Sequence, residues 1–188
     1  METRRHPRTT MLAFIFTVFL LTAGLFSFGM WTTFIFSFGF LGGFLLWIVI
    51  PTNVSFKTIR KPYWITLAIF IFLHRVEENI YKFQEELSKL TGNPVPEITS
   101  PVLVILVLAA IGGWLLVPYL MGRGNQFGYY LAWSFFASMG ITELAHFIFP
   151  FLVAGSYGYF PGMASVILLA PAAWWGMWCL SKKSMPTS

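Results

Sequence analysis

The sequence predicts an all-α protein, a polytopic membrane bundle of six transmembrane helices with the N- and C-termini cytoplasmic. Three observations lead there. The 188 residues are 57% hydrophobic and only 10% charged, with a mean hydropathy of +0.72, whereas a soluble domain carries roughly a quarter charged residues. The apolar residues come in runs close to the twenty or so that a helix needs to cross a bilayer at roughly 1.5 Å per residue. The cationic connector residues fall almost all on alternate loops.

The chain opens with a tail at 1–10, METRRHPRTT, ahead of MLAFIFTVFLL. That basic-then-apolar order belongs to signal peptides. The apolar stretch continues for about forty residues with no small-residue cleavage site, which predicts a retained signal anchor. A single helix of that length would be about twice the membrane thickness, so two spans are expected, 11–29 and 31–50, divided within SFGMWT. With the basic loop behind them they make a 51-residue unit, 11–61. In the second span Gly39 and Gly43 form a GxxxG pattern, a contact for a neighbouring helix or for a second copy in a homodimer. A four-span domain follows at 62–181, with spans at 62–81, 101–120, 127–149 and 161–180, and then a cytoplasmic tail at 182–188. The long polar connector, KFQEELSKLTGNPVPEITS (82–100), should extend the third span as a helix to about Leu90, where TGNP stops it. Tyr63, Trp64, Tyr129, Tyr130 and Trp133 are expected as anchors at the membrane interfaces.

Six spans put Arg4, Arg5, Arg8, Lys57, Arg60, Lys61, Arg123, Lys182 and Lys183 on one side, against Lys82 and Lys89 on the other. That bias makes the first side cytoplasmic and accounts for the net charge of +5 without a nucleic-acid partner. The expected setting is multi-pass in a membrane, the bacterial inner membrane, with membrane lipids as neighbours. Cys179 is the one cysteine, so neither an internal disulfide nor a cysteine metal cluster exists.

Polar residues inside spans carry the functional argument. All seven acidic residues are Glu, and three of them, Glu77, Glu78 and Glu143, fall within spans. So do His74 and His146, and these five groups belong to spans three and five alone. His74, Glu77, Glu78 and Tyr81 stand at i, i+3, i+4 and i+7 and share one helical face, as do Glu143 and His146 in TELAHF. Both spans run outward, with His74 about twelve residues deep and the other pair about sixteen to nineteen, so the polar levels overlap. An HxxE facing an ExxH is the ligand pattern of carboxylate-bridged metal sites in helical bundles. Charges at bilayer depth cost around 2.5–3.5 kcal/mol each even on the lenient scale, and a divalent cation offsets several at once. Imidazole and carboxylate without thiolate suit Fe, Zn or Mn. The expected metal ligands are His74, Glu77, Glu143 and His146. Glu78 is placed behind them or as general base, and Glu77, Glu78 and Glu143 are the catalytic candidates. Helical spacing admits either Glu77 or Glu78 as the primary ligand. Plainer readings exist: an Arg75–Glu78 ion pair, a third span ending near Leu73 with an amphipathic helix behind it, and a structural Glu143–His146 pair.

HRVEE at 74–78, on an early span, resembles the name-giving motif of the HXXEE family of small bacterial membrane proteins. ELAHFIFPFLVAGSYGYFPGMASVILLAPAAWW (143–175) is similar to that family's second signature. There a polar residue and a His precede a Tyr-x-Pro-Gly-type turn, here Gly158, Tyr159, Pro161 and Gly162, and an apolar last helix carrying Pro171. The resemblance covers about 60–180, so the first two spans look like an addition. Glu143 stands where such sequences more often carry Asn or His. The resemblance implies a membrane-embedded His/Glu centre, commonly supposed to be metal-binding or catalytic.

The expected activity is that of an integral membrane enzyme acting on a lipidic or isoprenoid-like, lipophilic substrate. Two other readings share the same residues. One is a metal-free acid/base isomerase or cyclase; the other is a transporter or receptor for an ion or lipophile. The chain has no GxSxG, no phosphate loop, no HExxH and no Asp, which removes Asp-dependent triads and kinase-type sites.

Overall fold

The computed structural model describes residues 5–153 and 156–182, and every regular element among them is helical. Arg4 and Lys183, which entered the charge comparison, and most of the tail at 182–188 lie outside the described residues.

Helix α1 (Pro7–Val49) is one 43-residue element interrupted at Gly29, whose φ of 77° and ψ of −180° are not helical. A straight helix of that length would span about 65 Å. Instead the Phe14 and Phe44 rings lie 6.0 Å apart, and the Arg5 guanidinium donates to the carbonyls of Trp47 and of Ile50, the latter at 2.7 Å. The chain therefore doubles back at Gly29, within the SFGMWT stretch, and the two arms lie side by side. Glycine is needed there because φ is positive. A Cβ would also meet the Asn93 side chain at 2.5–2.8 Å. Asn93 latches the turn by donating from Nδ2 to the Phe28 carbonyl at 3.2 Å.

The next rod joins α2 (Phe56–Ile69), a π-helical turn (Phe70–His74) and α3 (Arg75–Ile80). The expected helical extension to Leu90 does not run on unbroken: Lys82 adopts φ 55°, and α4 (Phe83–Thr91) starts afresh in a new direction. It stops where TGNP begins, with Gly92 in the left-handed conformation that closes helices. After it come α5 (Pro101–Leu115), α6 (Val117–Gly122) and α7 (Gln126–Gly140). A single 3₁₀ turn (Thr142–Leu144) then leads into α8 (Ala145–Leu152), and α9 (Met163–Ser181) closes the chain. Among the described residues four helical stretches are long and apolar enough to cross a membrane: Pro7–Val49, Pro101–Gly122, Gln126–Leu152 and Met163–Ser181. Their outer faces carry Phe26, Leu108, Phe151 and Ile167, all more than 60% exposed, as hydrocarbon-facing surfaces should.

Helix α7 is the hub. All of its residues from Gly128 to Gly140 are buried, and it packs against α1, α6 and α9. The GxxxG pair is spent here: a Cβ on Gly43 would lie 2.5 Å from Cα of Ser134, and one on Gly39 would lie 2.8 Å from Cα of Ser138. The contact anticipated for a neighbouring helix or a second copy is thus made within the chain. Tyr63, Tyr129, Tyr130 and Trp133, expected as interface anchors, are core residues instead. For three of them the polar atoms explain why. Tyr63 donates to the Trp114 carbonyl, Tyr130 pairs with Thr17 and Trp133 donates to Thr52, each at 2.8 Å. A satisfied phenol or indole is as much at home in a core as at an interface. Trp64 alone of the five stays about half exposed.

Candidate metal centre

The π-helical turn ends at His74. Such turns add a residue to the winding and re-phase the helix by about 100°. His74 is fully buried behind it, and Glu78 follows one turn later, 7% exposed. On the opposing segment α7 ends at Gly140, and the 3₁₀ turn brings Glu143 and His146 to the same level. The two pairs meet as spans three and five were expected to.

The four side chains form an alternating ring of nitrogen and oxygen. Glu143 Oε2 lies 3.2 Å from His74 Nε2 and 3.1 Å from His146 Nε2, while Glu78 Oε1 lies 3.6 and 3.7 Å from the same two nitrogens. One potential ligand atom from each residue fits within a 4.8 Å cluster. The far sides of both imidazoles are already committed. His146 Nδ1 faces the Pro161 carbonyl, which can only accept, so Nδ1 carries the proton. His74 Nδ1 lies 2.9 Å from Ser165 Oγ, whose own proton goes to the Gly162 carbonyl at 3.1 Å, so Nδ1 donates here too. Assigned from this network, both neutral rings turn an Nε2 lone pair toward carboxylate oxygens. His74 Nε2 is buried with no hydrogen-bond partner of adequate geometry.

A bound cation would resolve that conflict, and the donor set is of a kind that could hold one. Ligands held tetrahedrally at about 2.0–2.2 Å stand roughly 3.3–3.6 Å apart; the four N···O separations, 3.1–3.7 Å, bracket that range, and all the ligand atoms lie within 4.8 Å of one another. Fixing Nδ1–H on a carbonyl or hydroxyl is also how proteins orient metal-binding imidazoles.

Glu77 is not part of this ring. Its carboxylate grips the start of α9, with Oε1 accepting from the backbone N–H of Gly162 and Ala164 at 3.0 Å and from the Tyr159 hydroxyl. Oε2 accepts from Ser165 N–H at 2.7 Å. An anion at a helix N-terminus satisfies amides that have no helical partner. The expected ligand set of His74, Glu77, Glu143 and His146 therefore becomes, in the geometry, His74, Glu78, Glu143 and His146. The rod turns its i+4 position, not its i+3 position, toward the second histidine. The same turn that Glu77 holds supplies both imidazole supports, Pro161 and Ser165. Ser165 had drawn no attention in the sequence; a hydroxyl three residues after a Pro-Gly turn was the available signal. Gly162, at φ 98°, lies against the His146 ring, leaving no room for a side chain.

The Arg75–Glu78 ion pair exists as well, and it joins the site: Arg75 holds Oε2 of Glu78 while Oε1 faces the ring. Glu78, Glu143 and His146 open onto a cavity of about 810 Å³ between the second arm of α1, α5, α7 and the α3–α4 segment.

Fold and site thus define a class: an all-helical protein with membrane-length helices and a buried two-histidine, two-glutamate cluster. The chain belongs to the HXXEE family, "Protein of unknown function with HXXEE motif", which it matches over residues 64–176. That stretch includes both halves of the cluster and leaves out the α1 hairpin. No curated protein and no solved structure matches the chain.

Proposed function

We propose that the protein is a multi-pass membrane enzyme that holds a divalent metal ion on His74, Glu78, Glu143 and His146 and acts on a lipophilic substrate in the adjoining cavity. The observation that carries this reading is the pair of Nε2 lone pairs facing carboxylate oxygens, each backed by a committed Nδ1–H. The topology we favour crosses six times, counting the α1 hairpin as two and the rod from α2 to α3 as one, with both termini cytoplasmic. The contact of Arg5 with Trp47 and Ile50, and of His6 N–H with Gln126 at 2.9 Å, supports it by grouping the chain start, the 50–55 loop and the α7 start at one end.

A bound divalent ion would supply Lewis-acid polarisation of a substrate oxygen. The residues of the chain do the rest. Pro161 and Ser165 hold the imidazoles in one tautomer, and Arg75 keeps Glu78 from rotating out of the ring. Glu143 lines the cavity, where a carboxylate oxygen can accept a proton from a substrate beside it.

A second reading rests on the same ring. Two histidines and two glutamates balance in charge if both rings are protonated, so protons could close the network, giving metal-free acid/base chemistry of the isomerase or cyclase kind. Metal content per chain in detergent-purified protein separates the two. The metal reading expects near-stoichiometric Fe, Zn or Mn in wild type and its loss in His74→Ala/His146→Ala. Folded wild type that takes up none of the three on reconstitution overturns it.

A further inference from the structure

Arg75 stands between the ring and the cavity. It lines the cavity and its side chain stays 54% exposed, one residue beyond His74 on the rod. A guanidinium carries five N–H donors in a planar fork. Among the described residues its one hydrogen bond goes to Glu78 Oε2, so donors are left over on a residue that faces the cavity. An arginine at membrane depth calls for an anion beside it. The formal charges on the cavity wall are Arg75 and Lys82 against Glu78, Glu85 and Glu143. Lys82 and Glu85 cancel each other at 3.1 Å. Arg75 then faces two carboxylates, because the imidazoles are neutral in the tautomers assigned above, and the wall is net negative. Glu77 does not enter, being spent on the amides at the start of α9. A divalent ion on the ring reverses the sign: it neutralises Glu78 and Glu143 together and leaves the Arg75 charge unbalanced. Away from these groups the wall is apolar. On α5 it is a single face that includes Leu106, Val107, Ala110 and Trp114. Phe70 joins that face to the ring, 6.4 Å from Trp114 and 5.8 Å from His74.

We propose that the metal-loaded cavity takes a lipid with a singly charged oxyanion head, a carboxylate or a phosphate diester, seated on Arg75 with its chain along α5. This names the substrate class for the proposed function and rests on that reading for the metal. The guanidinium fork matches two oxygens of such a head while one nitrogen keeps its hold on Glu78. An uncharged head would leave the Arg75 charge unbalanced away from water, and a cationic head would set a second positive charge beside it. The metal-free cavity disfavours the same anion, because Glu78 and Glu143 then outweigh Arg75. Metal and anionic lipid are therefore coupled, each strengthening the other by the same factor. Asn79 follows Arg75 one turn later on the same face of the rod and also lines the cavity, which places it next to the head.

The test measures binding of radiolabelled hexadecyl methyl phosphate, a permanent monoanion, to the full chain in nanodiscs of zwitterionic lipid. Scintillation proximity reads the binding, and metal content per chain is measured on the same samples. The expected result is saturable binding to metal-loaded wild type. Hexadecanol and hexadecyltrimethylammonium should compete roughly tenfold more weakly or worse, as the loss of one charge-assisted hydrogen bond requires. Inorganic phosphate at equal concentration should not compete, which separates a lipid head from a free anion. Stripping the metal with a strong chelator should weaken the anion by a similar factor. Arg75→Gln should do the same with metal retained, and Arg75→Lys, which keeps the charge without the fork, should fall between. Because Arg75 also holds Glu78, Asn79→Asp is the second variant: it adds a negative charge beside the head without touching the ring, and it should weaken the anion but not the alcohol. Hexadecanol binding as tightly as the anion overturns the inference. So does displacement by inorganic phosphate, an affinity unmoved by chelation, or one unchanged in Asn79→Asp. Wild type that holds metal yet does not discriminate loses this inference and keeps the metal centre, whereas wild type that takes up no metal loses both.

Discussion

Replacing Glu77 separates a clamp from a ligand, although the motif sets Glu77 and Glu78 side by side. In Glu77→Ala the amides of Gly162, Ala164 and Ser165 lose their acceptor together with the Tyr159 hydroxyl. At about 1 kcal/mol for each amide left unpaired at a partly hydrated helix start, the loss is about 3 kcal/mol. For a chain of this size that lowers Tm by roughly 6–12 °C. Glu77→Gln keeps one oxygen for Gly162 and Ala164 but turns an NH₂ toward Ser165 N–H, so about half the loss is expected. Metal content should fall only as far as Pro161 and Ser165 drift from the imidazoles, and the neighbouring Glu78→Gln should lose metal outright. Thermal unfolding in one detergent, followed by near-UV circular dichroism with metal analysis on the same samples, measures both. A Glu77→Ala protein that melts within about 1 °C of wild type refutes the clamp. So does a Glu77→Gln protein that melts like wild type yet loses metal as Glu78→Gln does.

Gly29→Ala should cost about 1–3 kcal/mol, because the residue must keep a positive φ with extended ψ and its methyl meets Asn93; Asn93→Ala should recover part of that, read as Tm of the double variant. Gly43→Val should abolish folded protein by forcing α1 from the α7 backbone, read as the yield of monodisperse protein. Tyr63→Phe leaves the Trp114 carbonyl without its donor and should destabilise by about 1 kcal/mol at unchanged metal content. If metal binds, stripping it with a strong chelator should lower Tm, by the equivalent of about 2.7 kcal/mol at a hundredfold excess over Kd. Equal melting of stripped and loaded protein would mean the ring is closed by protons.

Much of this was open to reading along the chain. Apolar run length follows from the thickness of hydrocarbon that a helix must cross, so helix positions could be placed within a few residues, and the reversal at Gly29 fell inside SFGMWT. The pairing of His74 with Glu143 and His146 was legible because buried ionisable groups must find one another, and only two helices carried them. The anchor reading of Tyr63, Tyr130 and Trp133 failed for a related reason. Composition shows that an aromatic has a polar tip, but not whether Trp114, Thr17 or Thr52 waits to meet it.

What the sequence by itself determined is the all-helical class, the HXXEE kinship and the identity of the polar residues that must be compensated inside the bundle. The tertiary structure decided which carboxylate does what. Glu77 and Glu78 lie 100° apart on the same rod, and local spacing favours both equally. Only the approach of α9, with unpaired amides at its start, draws Glu77 away, while the 3₁₀ turn at Thr142–Leu144 sets Glu143 and His146 opposite Glu78. The cavity, too, is a property of how α1, α5 and α7 splay around the ring, which no single stretch of residues encodes.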